Sequence, residues 1–158
     1  MSQDILLLTA LIAVILMGSA MCSGIEAALL AVNPLRVHEL ARRKPKVLGA
    51  RRLEKLRHRI GRTLTVVTIA NNSFNIFGSL MVGSYASFIF QNRIGNVKPI
   101  FFIGLTILVL LLGEIVPKAL GTRLALQISL TSAPVLDFLS IVMRPLLIVL
   151  ERLLPIIT

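Results

Sequence analysis

The chain has 158 residues, of which 56% are hydrophobic, and its mean hydropathy is +0.88. Soluble domains are nearer to about 45–50% apolar, so this composition excludes an ordinary soluble domain and predicts an integral membrane protein. The net charge of +10 is local, since 11 of the 17 Lys and Arg residues lie between Arg36 and Arg62; a basic block between apolar stretches indicates a loop beside anionic membrane lipid rather than a nucleic-acid partner.

Three apolar stretches predict membrane-spanning helices, at about residues 5–32, 63–90 and 100–120. The first ends at Asn33-Pro34, because the residue before a proline is pushed away from helical geometry. It has no basic leader and is about twice the length of a signal-peptide core, so it is expected to stay in the protein as a span. The second stretch is unusually polar at its centre, which reads "ANNSFNIFGS".

Two further segments, at about residues 34–61 and 123–157, predict amphipathic juxtamembrane helices. In the first, apolar residues are spaced among basic ones, with a break near Lys44-Pro45. In the second, acidic and basic residues recur every seven positions and therefore share one helix face: Asp137, Arg144 and Glu151. This pattern favours helices at the cytoplasmic interface over a fourth span.

The distribution of basic residues also predicts the orientation of the chain. Cytoplasmic loops carry the excess of Lys and Arg, which places the 33–62 loop in the cytoplasm and the 91–99 loop outside. The N-terminus of this multi-pass protein is then expected outside.

Polar residues lie within all three predicted spans, where an ionisable group costs roughly 2.5–3.5 kcal/mol at the bilayer centre and usually serves a function. Those that share a helix face are Ser19, Ser23 and Glu26 in the first, Asn71, Asn75 and Ser79 in the second (with Asn72 beside them), and Glu114 and Lys118 in the third. The three groups lie at similar distances from the cytoplasmic ends of their helices, which favours a single polar cluster within the membrane. Close helix packing by small polar residues and a simple ion pair are the alternatives.

Pro117, in the stretch "GEIVPKALG", has a specific consequence for the third span. Proline has no N–H, so the carbonyl oxygen of Gly113 loses its helical hydrogen-bond partner beside the Glu114 carboxylate. Carbonyl, carboxylate, hydroxyl and amide oxygens suit Mg²⁺ or Ca²⁺ rather than zinc or copper. The predicted metal ligands are Ser23, Asn71, Asn75, Gly113 and Glu114, with Glu26, Asn72, Pro117 and Lys118 in supporting positions.

Three motifs resemble those of the CNNM/CorC magnesium transporter family. "CSGIEAALLAVNPLRV" resembles the family stretch "SGxExALLxxNxxRL", "ANNSFNI" resembles "GNNxxNI", and "GEIVPKALG" resembles "GEIxPKxxG". They occur in the family's order over nearly the whole chain. The departure is Ala70, where the family commonly has glycine, and it leaves the asparagines that follow unchanged.

The resemblance implies an all-α homodimer, each protomer having three transmembrane helices and juxtamembrane helices. It also implies Mg²⁺ export, with Na⁺ as the candidate coupling ion, in a bacterial cytoplasmic membrane. The cytoplasmic CBS domains that follow in the family are not in this sequence. The alternative is a membrane scaffold, or a Mg²⁺ sensor that regulates another transporter. An enzyme is not expected, because His38 and His58 both lie in the basic loop without an HExxH pattern.

Overall fold

The computed structural model describes residues 2–43, 49–90 and 97–148, and every regular element in these ranges is helical. The helices are α1 (Ser2–Ala31), α2 (Pro34–Arg43), α3 (Ala50–His58), α4 (Ile60–Ile89), α5 (Val97–Leu108), a π-helical segment (Val109–Ile115), α6 (Val116–Arg123) and α7 (Ala125–Val142). The all-α prediction is therefore confirmed for the described ranges.

Three of the described helical stretches are long and apolar enough to cross a membrane: Gln3–Ala31, Pro99–Arg123 and Ala125–Val142. The first two correspond to the predicted spans 5–32 and 100–120. The predicted span 63–90 falls on α4, which has 30 residues but is less apolar than these three because of its central asparagines.

Helix α7 falls in the segment that the sequence predicts as juxtamembrane, yet its length and composition would also suit a span. The interfacial position of residues 123–157 therefore stays a prediction. Some sequence predictions lie outside the described residues: the break near Lys44-Pro45, most of the 91–99 loop, and Glu151.

Helix α1 is central, because it packs against α4, α6, α7 and the π-helical segment. Glycines allow the helices to approach closely. The ring of Phe74 in α4 lies over Gly18 of α1, and a Cβ added at Gly121 of α6 would collide with the Gly24 carbonyl oxygen of α1. Small residues at such crossings are typical of membrane helices, whose association depends on close packing.

The basic segment, which consists of helices α2 and α3 in the described residues, folds against the end of α1 rather than extending away from it. Leu53 of α3 is fully buried in a cluster with Leu29, Val37 and Leu136, which joins α1, α2, α3 and α7. The Arg57 guanidinium donates a hydrogen bond to the Leu29 carbonyl oxygen at 2.7 Å. A cation at this end of α1 complements the negative end of the helix dipole.

The third predicted span is not a regular α-helix. Its centre, Val109–Ile115, is π-helical, and the N–H of Val116 bonds to the carbonyl oxygen of Leu111, five residues back. The sequence predicts a missing helical hydrogen bond at the Gly113 carbonyl because Pro117 cannot donate, but it does not predict the wider turns. Short π-helical segments occur frequently at functional sites.

Candidate metal centre

Four oxygen-bearing groups meet where α1, α4 and the π-helical segment come together. The Ser19 hydroxyl lies 3.2 Å from Asn71 Oδ1 and 3.3 Å from the Gly113 carbonyl oxygen, and it donates its single proton to one or the other. The Ser23 hydroxyl donates to the same Asn71 Oδ1 at 3.4 Å. Ser19 and Ser23 are fully buried, and Asn71 is 6% exposed.

Local structure explains why these groups converge. Ser19 and Ser23 are one turn apart on α1 and present both hydroxyls to α4. Gly113 is buried, and a Cβ there would lie only 3.3 Å from Ser19 Oγ. The missing side chain therefore lets the serine reach the Gly113 carbonyl, which Pro117 has deprived of its ordinary helical donor.

The spacing of these oxygens can be compared with that in cation coordination shells. Neighbouring oxygens of an octahedral shell lie about 2.8–3.0 Å apart at Mg²⁺ bond lengths and about 3.3–3.7 Å apart at Ca²⁺ bond lengths. The hydrogen-bonded oxygens are 3.2, 3.3 and 3.4 Å apart. Binding Mg²⁺ would therefore draw them together by a few tenths of an ångström.

The other two asparagines have different surroundings. Asn75 lies one turn beyond Asn71 on α4, and its Oδ1 is buried with no hydrogen-bond partner among the described residues. An unpaired buried amide oxygen is costly in a protein interior, so it marks a place where a ligand would be favoured. Asn72 is exposed and does not share the face of Asn71.

The acidic residues lie beside the cluster rather than within its hydrogen bonds. The Lys118 ammonium donates to Glu114 Oε1 at 2.7 Å, and the two side chains are 42% and 39% exposed. Glu26 accepts a hydrogen bond from the Thr68 hydroxyl at 2.8 Å and is within electrostatic range of Lys118. The structure thus brings Ser23, Asn71 and Gly113 together, with Glu114 adjacent in the chain and Pro117 starting the next turn.

Ser19 is the member of this cluster that the predicted ligand set omits. It stands four residues before Ser23 on the same face, so the pattern already contained its signal. Among the described residues, no three His, Cys, Asp or Glu side chains are grouped so that they could hold a metal ion. The donor set of this cluster therefore consists of hydroxyl, amide and backbone oxygens, which are hard ligands.

Comparison with known proteins gives matches over most of the chain. The family described as "Cyclin M transmembrane N-terminal domain" matches residues 10–158. The chain is 36% identical over 148 residues to the UPF0053 protein sll1254 of Synechocystis sp., covering 92% of this chain and 41% of that protein. It is 28% identical over 136 residues to the UPF0053 inner membrane protein YfjD of Escherichia coli, covering 85% of this chain and 30% of that protein. The chain thus spans less than half the length of either relative.

Proposed function

The chain belongs to the cyclin M (CNNM/CorC) family of integral membrane proteins, and on that premise we propose that it transports Mg²⁺ through the oxygen cluster on α1, α4 and the π-helical segment. The observation that carries the proposal is the convergence of Ser19, Ser23, Asn71 and the Gly113 carbonyl on one buried point. Hydroxyl, amide and carbonyl oxygens replace water around a hard cation.

The four clustered groups are neutral, so a divalent ion needs a carboxylate nearby. Glu114 supplies it from the position next to Gly113, where its side chain now pairs with Lys118. We propose that the arriving cation displaces the Lys118 ammonium from Glu114, and that Glu26 then balances the released positive charge. This exchange keeps a lone charge from being left inside the membrane, which would be costly.

Mg²⁺ gives up its water reluctantly and demands a near-octahedral shell at about 2.0–2.1 Å. The cluster oxygens would have to close by a few tenths of an ångström, which moves α1 toward α4 and the π-helical segment. Asn75, with its buried and unpaired oxygen, is the candidate for a further ligand. Waters would complete the shell.

We propose that the protein works as a homodimer. The Glu114–Lys118 pair and Asn72 are partly or fully exposed on the surface of a single chain, although they belong to predicted spans. Charged groups in spans almost always face protein or water rather than lipid. A second copy of the chain that covers this surface would keep these polar side chains away from lipid.

We also propose that the protein exports Mg²⁺ coupled to Na⁺ entry, that it lies in a bacterial cytoplasmic membrane, and that its N-terminus is outside. Family resemblance supports the transport and the membrane, and the basic residues of the 33–62 loop support the orientation. The name of the Escherichia coli relative includes "inner membrane protein", which supports the choice of membrane.

Reconstitution into liposomes that enclose a Mg²⁺-sensitive dye tests the transport proposal. We expect Mg²⁺ flux from the wild-type chain and none from Glu114→Ala, while Glu39→Ala, which removes an exposed carboxylate from α2, keeps its flux. Imposing and then removing a Na⁺ gradient tests coupling. Wild-type flux in the Glu114→Ala variant would remove Glu114 from the pathway. Absent flux and absent Mg²⁺ binding in the wild type would favour the scaffold alternative.

A further inference from the structure

A cavity of about 480 Å³ lies between α3, the start of α4 and the end of α7, away from the oxygen cluster. Its volume falls within the roughly 300–1,000 Å³ typical of small-ligand sites. The charged side chains that line it are Lys55, His58, Arg59, Arg62, Arg144 and Asp137. With the histidine neutral, this lining carries a net charge of +3.

The polar surroundings of the cavity suit a phosphate group. No hydrogen bond or ion pair within the described residues engages the side chains of Lys55, Arg59 or Arg144. Arg59 is also the N-cap residue of α4, and the first turn of this 30-residue helix has no side-chain cap. The positive end of the helix dipole therefore adds to the attraction for an anion.

The rest of the lining suits a lipid better than free phosphate. Ile141 lines the cavity and is 67% exposed, and Val135, Phe138 and Val142 continue an exposed apolar surface along α7. A phosphate seated among the arginines could thus be joined to acyl chains lying over α7. Asp137 would repel a bare phosphate, but with Ser140 it can accept hydrogen bonds from the hydroxyls of a headgroup.

We propose that this cavity binds the headgroup of an anionic, hydroxyl-bearing phospholipid such as phosphatidylglycerol. The lipid would join α3, α4 and α7 by bridging Arg59 at the start of α4 and Arg144 beyond the end of α7. It would hold the basic segment against the membrane surface, as juxtamembrane basic clusters do. This site is separate from the proposed Mg²⁺ pathway and does not depend on it.

Native mass spectrometry of the purified chain tests the proposal, in micelles doped with phosphatidylglycerol or phosphatidylcholine. We expect one phosphatidylglycerol retained per chain, and no phosphatidylcholine. The double variant Arg59→Gln/Arg144→Gln should weaken retention about 25-fold, since each cation near an anionic surface contributes roughly a factor of five. The matched control is Arg42→Gln/Arg43→Gln, which removes the same charge from exposed positions on α2 that do not line the cavity.

Three results would overturn the proposal. Equal weakening by both double variants would indicate only a general basic surface, which an acidic protein domain could also contact. Unchanged retention in the cavity variant would exclude a headgroup there. Binding of inorganic phosphate with the same affinity as the lipid would indicate a free-anion site. Should the glutamine variant not fold, Arg59→Lys/Arg144→Lys retains the charge, and because lysine binds phosphate as a point charge it must keep the lipid within about threefold if charge is what binds it.

Discussion

Replacing Ser19 and Ser23 by alanine, one at a time, separates a cation site from a helix-packing contact. Ser19 can donate to two acceptors, Asn71 Oδ1 at 3.2 Å and the Gly113 carbonyl at 3.3 Å. Ser23 has one acceptor, at 3.4 Å. Each serine therefore makes one hydrogen bond that helps the helices pack, and each also offers one oxygen to a cation.

The two roles differ in the size of the effect that each substitution should have. Hydrogen bonds between membrane helices average about 0.6 kcal/mol each, and each serine has a single proton to donate, so Ser19→Ala and Ser23→Ala should each lower stability by about 0.6 kcal/mol. In a chain of this size, 1 kcal/mol shifts Tm by roughly 2–4 °C. For Mg²⁺ affinity, loss of either ligand should cost at least about tenfold, because even groups behind the ligands cost about 10–100-fold.

Thermal unfolding in detergent, together with isothermal titration with Mg²⁺, measures both quantities. Ser87→Ala is the control, since Ser87 is exposed on α4 and outside the cluster. We expect small losses of stability from both cluster variants and much larger, similar losses of Mg²⁺ affinity. A loss of stability without any change in Mg²⁺ affinity would refute the cation-site reasoning and leave a packing contact.

Three further substitutions test the surroundings of the site. Gly113→Ala places a Cβ 3.3 Å from Ser19 Oγ, so we expect weaker Mg²⁺ binding by titration with the fold retained. Gly121→Ala brings a Cβ into collision with the Gly24 carbonyl oxygen, and overpacking of this kind should cost about 1–3 kcal/mol in thermal unfolding. Arg57→Gln loses the 2.7 Å bond to a carbonyl near the end of α1, with an expected cost of about 1 kcal/mol in the same assay.

Two control variants accompany these predictions. Gly104→Ala adds a Cβ with no atom within 4 Å, so it should leave Mg²⁺ affinity unchanged and should not lower Tm. Arg51→Gln removes an exposed charge from α3 without touching α1, and its Tm should match the wild type. If Gly104→Ala lowered Tm as much as Gly121→Ala, the close α1–α6 contact would not be the cause of the loss. Equal losses of Tm in Arg57→Gln and Arg51→Gln would likewise exclude the bond to α1 as the cause.

Sequence patterns predicted the helical class and most of the cluster because both follow from local rules. Helical periodicity places Ser19 and Ser23 on one face, and the missing N–H of Pro117 frees a carbonyl whatever the surroundings. The sequence does not show which face of α4 is buried. Asn71 and Asn72 are neighbours in sequence, yet only the packing of α1 against α4 shows that the first is buried and the second exposed.

Other features depend on contacts that periodicity does not encode. The π-helical geometry of Val109–Ile115 arises from how several backbone hydrogen bonds rearrange together before Pro117. The pairing of Glu114 with Lys118 was foreseeable from their four-residue spacing, but the outward exposure of the pair was not. The seven-residue spacing of Asp137 and Arg144 did predict a shared face, and the structure places both in the wall of one cavity.

Mg²⁺ binding by two variants of adjacent asparagines tests the central claim most directly. Asn71→Ala removes the oxygen that both serine hydroxyls share, whereas Asn72→Ala removes an identical side chain from an exposed position one residue away. We predict that isothermal titration detects no Mg²⁺ binding by Asn71→Ala and nearly wild-type binding by Asn72→Ala. Equal affinities in the two variants would contradict a cation site at this cluster.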